Sequence, residues 1–360
     1  MYPSLHILGS RQFGGADQFY VRLLGALHEA GQRVIAVNRP DSPVAEALKP
    51  SAIEQMHLPL ANQWDLWSVW RIRELVARQQ PCIVQTYMGR ATRLARLPSK
   101  AKAVHIARLG GFYKIDGYYR HAHAWVGNTR GICDYLVKSG LPADRVFHIG
   151  NFVPEPVPLS SQQVEALRDE HDIPGDAFVL FALGRLIGKK GFDDLLHAFA
   201  ALPAESNGRP LILLIAGDGP SADMLKTLSE SLGLTRRVRW LGWRQPAPFY
   251  AAADLFVCPS RHEPLGNVIL EAWNYRLPVV STATDGALEL IDEGRTGLLA
   301  PCGDPAGLAA QIRAALALSD TERNALGEAG HAFLQSRYSR QAVVGAYLEL
   351  YERLMAERGY

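Results

Sequence analysis

Two carboxylates, Glu263 and Glu271, stand eight residues apart on either side of a Gly266–Asn267 step. The apolar run at 255–258 predicts a buried strand, and the spacing after Val268 predicts a helix that begins near Gly266. A helix N-terminus presents free N–H groups and a positive dipole end to an anion. The carboxylates would repel that anion unless neutral hydroxyls lie between them. This segment therefore predicts a ligand with both phosphate and hydroxyl groups, such as a nucleotide-sugar.

A basic turn at 184–191 follows another predicted strand. Arg185 could clamp a diphosphate as a fork and Lys190 as a point charge. The spacing does not fit the G-x-x-x-x-G-K-[ST] phosphate loop. A solvated basic turn is the alternative interpretation.

Two further features also follow predicted strands. The glycine pair Gly14–Gly15, after the first strand, lets backbone N–H groups approach a ligand, or else forms only a tight turn. Arg108 ends a strand in a basic region and is a candidate for binding the acceptor or the donor phosphate, with a surface arginine as the alternative. Ligands of parallel sheets bind outside the carboxyl ends of the strands, so we expect these segments to line one cleft.

Positive charge is concentrated between residues 89 and 130, where nine Lys or Arg side chains stand against one acid, Asp116. The arginines of 90–97 would lie on one helix face, which favours contact with an anionic membrane surface over an ordinary solvated face. Trp64, Trp67 and Trp70 recur every three residues. That spacing favours packing in a core, with an interfacial anchor as the alternative.

Composition and short motifs limit the number of domains, the location and the cofactors that are expected. The chain has 360 residues, 48% of them hydrophobic, and a net charge of +2, so two globular domains are expected and nucleic acid is not. Four scattered cysteines, no signal peptide and no apolar run long enough to span a bilayer predict a cytoplasmic protein whose membrane contact is peripheral. There is no D-x-D triplet, and G-x-G-x-x-A at 217–222 lacks the later acid that a dinucleotide needs. We therefore expect no metal and no cofactor.

Short apolar runs alternate with amphipathic stretches along the chain, which is typical of α/β domains with a doubly wound parallel sheet. A proline-rich break at 153–158 predicts the boundary between two such domains, 1–155 and 156–339. A long amphipathic helix is predicted at about 340–357.

Taken together, these motifs resemble the retaining nucleotide-sugar glycosyltransferases of family 4, which have the GT-B fold. The resemblance covers nearly the full length. It rests on the glycine pair, the G-R-x-x-x-x-K-G turn, the G-D-G-P turn and the E-x7-E segment, in that order, followed by 276–281 with Gly286, Glu289 and Gly297. The surroundings of Arg108 and Asn151 look most like bacterial transferases that build lipopolysaccharide core or other envelope glycans.

The resemblance implies two Rossmann-like domains facing across a cleft, with the first binding the acceptor and the second the nucleotide-sugar. Helix 340–360 would cross back onto the first domain. Arg185 and Lys190 would hold the donor diphosphate, and Glu263 would bind the donor sugar. Backbone and ribose contacts are implied for Gly15, Leu265, Gly266, Asn267 and Glu271, with Trp243 beside the base.

This chain departs from the family in one place. Many relatives have a histidine at the end of the fifth strand, where Arg108 stands here, with His105 three residues earlier. The donor is expected to be a UDP-sugar, with a GDP-sugar next, and the acceptor a glycan or glycolipid. Two alternatives stay open: another GT-B enzyme such as a nucleotide-sugar epimerase, and a non-catalytic glycan- or nucleotide-binding subunit.

Overall fold

A computed structural model of the chain describes residues 2–80 and 82–360. The chain divides into two compact α/β units. Unit 1 ends at Phe152 and also contains Ser339–Tyr360, whereas unit 2 covers Val153–Tyr338. The sequence had placed these boundaries at 155/156 and at about 340.

Unit 1 is built on a parallel sheet of order β3-β2-β1-β4-β5-β6-β7. Its strands are β1 (Ser4–Leu8), β2 (Val34–Asn38), β3 (Glu54–His57), β4 (Cys82–Tyr87), β5 (Ala103–Leu109), β6 (Ala124–Gly127) and β7 (Val146–His148). Its helices are α1 (Gly15–Glu29), α2 (Pro43–Leu48), α3 (Leu66–Arg78), α4 (Met88–Leu94), α5 (Arg130–Lys138) and, from the end of the chain, α14 (Arg340–Ala356).

Unit 2 repeats this arrangement, with strand order β11-β10-β8-β12-β13-β14 and a short β9 paired antiparallel to β10. Its strands are β8 (Phe178–Leu183), β9 (Glu205–Ser206), β10 (Arg209–Ala216), β11 (Val238–Gly242), β12 (Leu255–Cys258), β13 (Val279–Thr282) and β14 (Leu298–Ala300). Its helices are α6 (Ser161–Glu170), α7 (Phe192–Ala200), α8 (Ala222–Ser231), α9 (Ala247–Ala252), α10 (Asn267–Asn274), α11 (Asp285–Leu290), α12 (Pro305–Ala317) and α13 (Asp320–Arg337).

The central strands of both sheets are buried on both faces, because helices cover each side. Every residue of β1, β4, β5 and β12 is buried. Among the described residues, three clusters of buried side chains belong to unit 1: one on Leu5, Ile7 and α3, one on α1 and α14, and one on Tyr119 and α5. This burial explains why these strands are continuous apolar runs rather than alternating patterns, and it confirms the predicted α/β class.

The prediction for the three tryptophans is wrong. Trp64, Trp67 and Trp70 are 67%, 52% and 58% exposed, and Leu66 beside them is 79% exposed. Helix α3 instead buries the face that carries Ser68, Ile72, Leu75 and Val76. Within the ranges given above, no helix is both long and apolar enough to cross a membrane.

Candidate functional site

The candidate site in unit 2 lies where strand order reverses. β8 lies between β10 and β12, so chain order runs outward in both directions from the β8–β12 pair. Loops at such a switch point diverge and leave a crevice outside the carboxyl ends of the strands, where ligands bind. The basic turn at 184–191 follows β8, and the loop containing Glu263 follows β12.

Lys190 and Glu263 meet at this point. Lys190 Nζ donates a hydrogen bond to Glu263 Oε2, and the two form an ion pair. Their side chains are 18% and 16% exposed. The family resemblance implies that both side chains contact the donor, and in the structure they contact each other. An ammonium beside a carboxylate provides one group for a phosphate and one for a hydroxyl.

Arg261 holds the two loops together, and the sequence analysis missed it. Its guanidinium donates to Asp193 Oδ2 at 2.7 Å, to Asp194 Oδ1 at 2.6 Å and to the Gly188 carbonyl at 2.9 Å. These carboxylates raise the pKa of Arg261 above its already high value. The backbone N–H of Arg261 also donates to the Lys189 carbonyl at 2.9 Å. The only sequence signal was its position two residues before Glu263.

Gly191 allows the basic turn to lie against the β12 loop. Its φ is 64°, in the left-handed region, and a Cβ built there would lie 2.0 Å from the Pro259 carbonyl oxygen. Only glycine fits a position with both properties. The neighbouring G-D-G-P turn makes a similar close approach, because a Cβ on Gly217 would lie 1.9 Å from the Gly184 oxygen. Both approaches fix the path of the backbone around Lys190.

Helix α10 begins at Asn267, with Gly266 as its N-cap residue, which confirms the predicted helix start. Leu265 before it is buried. Glu271 lies in the second turn, where its carboxylate accepts a hydrogen bond of 3.1 Å from the Tyr250 hydroxyl. Burial and the charge of Glu271 raise the pKa of Tyr250 well above its ordinary value, so the phenol stays protonated and donates.

Two other candidates in unit 2 are exposed. Arg185 makes no side-chain hydrogen bond or ion pair with any residue that the structure describes, so its guanidinium is available to an anion. Trp243 is 73% exposed. It borders an open pocket of about 480 Å³ whose lining includes His171 and Phe249 but not Lys190 or Glu263.

The candidates in unit 1 have different surroundings. Gly15 is exposed at the first residue of α1. Arg108 is only 3% exposed: its Nε donates to the Tyr347 hydroxyl at 3.1 Å, its other end bonds Asn151, and it stacks over Phe19. Its guanidinium therefore joins β5 to α14 inside unit 1.

His105 is fully buried. It lies beside Thr86, at 3.0 Å from that hydroxyl. Burial and the neighbouring His121 and His123 hold its pKa well below the ordinary value, so this imidazole is neutral. No cluster of three or more metal-ligating side chains occurs at residues 2–80 or 82–360.

The arrangement in unit 2 supplies two cations and one carboxylate at the switch point, beside a helix N-terminus. Such a group can bind a diphosphate and stabilise the negative charge that grows on it as a bond to it breaks. The carboxylate can accept hydrogen bonds from a polyol.

Comparison with known proteins gives relatives over nearly the full length. The family model described as "Glycosyl transferases group 1" matches residues 163–333. The lipopolysaccharide core biosynthesis glycosyltransferase LpsE of Rhizobium meliloti (strain 1021) is 34% identical over 339 residues, covering 94% of this chain and 95% of that protein. LpsD of the same organism is 33% identical over 349 residues, covering 96% and 97%.

Among solved structures, Anabaena HepE in complex with UDP and glucose superposes with a TM-score of 0.84. The two share 21% sequence identity, over 98% of this chain and 100% of that one. At this identity the likeness concerns the fold, and it confirms the GT-B class that the motifs predicted.

Proposed function

Because this chain belongs to the group 1 glycosyl transferases, we propose that it moves a sugar from a nucleotide-sugar to a glycan or glycolipid acceptor. This transfer would be a step of lipopolysaccharide core or envelope polysaccharide biosynthesis, as the names of LpsE and LpsD suggest. A UDP-sugar is the favoured donor, supported by the UDP bound to HepE, and a GDP-sugar is next. The observation that carries the proposal is the Lys190–Glu263 pair at the β8–β12 switch point.

In this reaction Arg185 and Lys190 bind the donor diphosphate, and Glu263 binds hydroxyls of the donor sugar. Lys190 exchanges its partner Glu263 for a phosphate oxygen, which frees the carboxylate for the sugar. Backbone groups of Leu265, Gly266 and Asn267 complete the phosphate contacts at the start of α10. Glu271 binds the ribose and Trp243 stacks beside the base, with Gly15 of unit 1 contacting phosphate or acceptor.

The transfer we propose retains the anomeric configuration. The bond from the anomeric carbon to the diphosphate breaks, and its electron pair leaves with the diphosphate. The acceptor oxygen bonds to the same face of the carbon, and its proton passes to a phosphate oxygen. No protein nucleophile and no metal is required, because the two cations stabilise the departing charge.

Product analysis tests this function. Purified protein is incubated with UDP- and GDP-sugars and candidate glycan acceptors, with EDTA present, and the product linkage is read by proton NMR. We expect a glycoside with the anomeric configuration of the donor, at a rate that EDTA does not change. An epimerised donor without transfer would favour an epimerase, and binding without turnover would favour a binding subunit.

Membrane attachment is the second part of the proposal, and it concerns unit 1. Arg93 of the basic stretch lies over the Trp64 ring at 4.1 Å, and Arg71 lies over Trp67 and Trp70 at 5.9 and 5.7 Å. The Nε of Arg73 donates to the Arg96 carbonyl at 3.1 Å, which ties α3 to the end of α4. Exposed tryptophans next to arginines suit the boundary between anionic headgroups and acyl chains. Together with four free cysteines, this supports a location at the inner face of the cytoplasmic membrane.

Replacing Trp64, Trp67 and Trp70 together by alanine is expected to weaken binding to phosphatidylglycerol-containing vesicles by about tenfold or more. Cosedimentation measures the bound fraction, and circular dichroism checks the fold. Met224→Ala, which removes an equally exposed apolar side chain from unit 2, serves as the control and should bind as the unaltered protein does. Unchanged vesicle binding by the triple variant would contradict membrane attachment through this face.

A further inference from the structure

Three arginines lie at the carboxyl edge of the sheet in unit 1. Arg11 follows β1, Arg39 follows β2, and Arg90 is in α4 directly after β4. These three strands are neighbours, in the order β2-β1-β4. Chain order reverses between β1 and β4, so this edge is the switch point of unit 1, the place in such a sheet where ligands bind.

Arg39 and Arg90 share one neutral acceptor. The Nη1 of Arg39 donates to the Leu60 carbonyl oxygen at 2.7 Å, and the Nη1 of Arg90 donates to the same oxygen at 3.2 Å. Arg90 also donates to the Gly9 carbonyl at 3.3 Å, at the end of β1. Two guanidinium groups are thus held side by side, and each keeps further N–H donors beyond those that the carbonyls use.

No described carboxylate forms an ion pair with Arg11, Arg39 or Arg90. Asp65 interacts with Arg39 only through its charge. Its carboxylate oxygens already accept hydrogen bonds from the N–H groups of Ala61 and Ser68 and from the Ser68 hydroxyl, at 2.7–3.0 Å. Burial and the charges of Arg11 and Arg90 together lower the pKa of Arg39. The protein thus holds like charges together, and the charge of Asp65 offsets them only in part.

The backbone conformation of Leu60 is a second observation that indicates a ligand site at this edge. Its side chain is fully buried, and its backbone has a φ of 42°, in the left-handed region that branched side chains rarely adopt. Such a conformation costs on the order of 1–3 kcal/mol and persists where surrounding packing enforces it, often at ligand sites. The strained residue is the one whose carbonyl orients both arginines.

We propose that Arg39 and Arg90, with Arg11, bind an oxyanion group of the sugar acceptor, a phosphate or a carboxylate. The proposal rests on the transferase function above and names a chemical feature of its acceptor. Paired guanidinium forks match the geometry of either oxyanion, and the anion would neutralise charges that this edge leaves uncompensated. The acceptor would be positioned by its anionic group rather than by hydroxyls alone.

Inorganic phosphate is the first probe, and acetate is the second. Each is titrated by calorimetry into the full-length protein after saturation with UDP, so that the proposed diphosphate site in unit 2 is already filled. We expect saturable phosphate binding that becomes about tenfold weaker or more, roughly 1.4 kcal/mol, in Arg39→Gln and in Arg90→Gln. The response to acetate distinguishes a site for carboxylates from one for phosphates only.

Two further variants control for the loss of a positive charge elsewhere and for misfolding. Arg33→Gln alters an exposed arginine before the opposite end of β2 and should bind phosphate as the unaltered protein does. Arg11→Gln removes an exposed side chain that makes no hydrogen bond within the described ranges, so weaker phosphate binding there cannot reflect misfolding.

Equal phosphate affinity in Arg11→Gln, Arg39→Gln and Arg90→Gln would overturn the proposal. So would variants that lose affinity for anionic vesicles but not for phosphate, because the arginines would then serve lipid headgroups. The preceding UDP titration reports on the donor site separately. Failure to bind UDP would count against the proposed function, whereas failure to bind phosphate would count only against the acceptor site.

Discussion

Lys190→Met is expected to lower kcat for sugar transfer by about 10²–10³-fold, equivalent to roughly 3–4 kcal/mol at the barrier. The loss should be this large because Lys190 is largely buried and acts where negative charge develops on the leaving diphosphate. Methionine preserves much of the stem and removes the charge. Steady-state rates with a matched donor and acceptor measure the effect.

The neighbouring residue provides the control. Lys189 is exposed and its side chain has no partner among the described residues, so Lys189→Met should stay within about twofold of the original rate. Glu263→Gln should reduce kcat as well, because it removes the carboxylate from both Lys190 and the sugar. Near-normal turnover of Lys190→Met or Glu263→Gln, with thermal unfolding unchanged, would refute the assignment of this pair.

Gly191→Ala is expected to abolish most transfer activity, by about tenfold at least, although the new side chain has only one carbon. A residue other than glycine in the left-handed region costs about 1–2 kcal/mol. The added Cβ would also lie 2.0 Å from the Pro259 oxygen, so the turn must move away from the β12 loop. Lys190 would then lose its position beside Glu263. Activity assays and thermal unfolding measure the two effects.

Gly188→Ala is the matched variant in the same turn. A Cβ there meets nothing within 4 Å, and its φ is not in the left-handed region. We expect activity and stability close to those of the unaltered protein. If Gly188→Ala and Gly191→Ala behaved alike, the close approach to Pro259 would not be what positions Lys190.

The sequence predicted the alternation of strands and helices well, because buried parallel strands are continuous apolar runs and the helices between them are amphipathic. It missed α6, whose ten residues include none that is buried. Its apolar side chains are only Val164, Ala166 and Leu167, which give a weak periodic signal, and what marks the helix is the capping box of Ser160 with Gln163. It also assigned Trp64, Trp67 and Trp70 to the core from their spacing, although spacing alone does not say which face of a helix is covered.

Within the candidate site, individual residues could be named from motifs but their partners could not. The contact between Lys190 and Glu263 depends on β8 and β12 being neighbours, which is a property of strand order. The role of Arg261 could not be recognised from the sequence for the same reason, since its carboxylate partners lie on α7, far from it along the chain. Arg108 shows the reverse case: its position at the end of a strand suggested a ligand contact, yet α14, from the far end of the chain, covers it.

Calorimetric titration of UDP into the unaltered protein, Arg185→Ala and Lys189→Ala tests most directly whether the turn after β8 binds the donor diphosphate. Both side chains are exposed and unpartnered within the described residues, so neither change should disturb the fold. We predict that Arg185→Ala weakens UDP binding by about tenfold or more, while Lys189→Ala leaves it unchanged. UDP affinity that is the same in all three proteins would contradict the account.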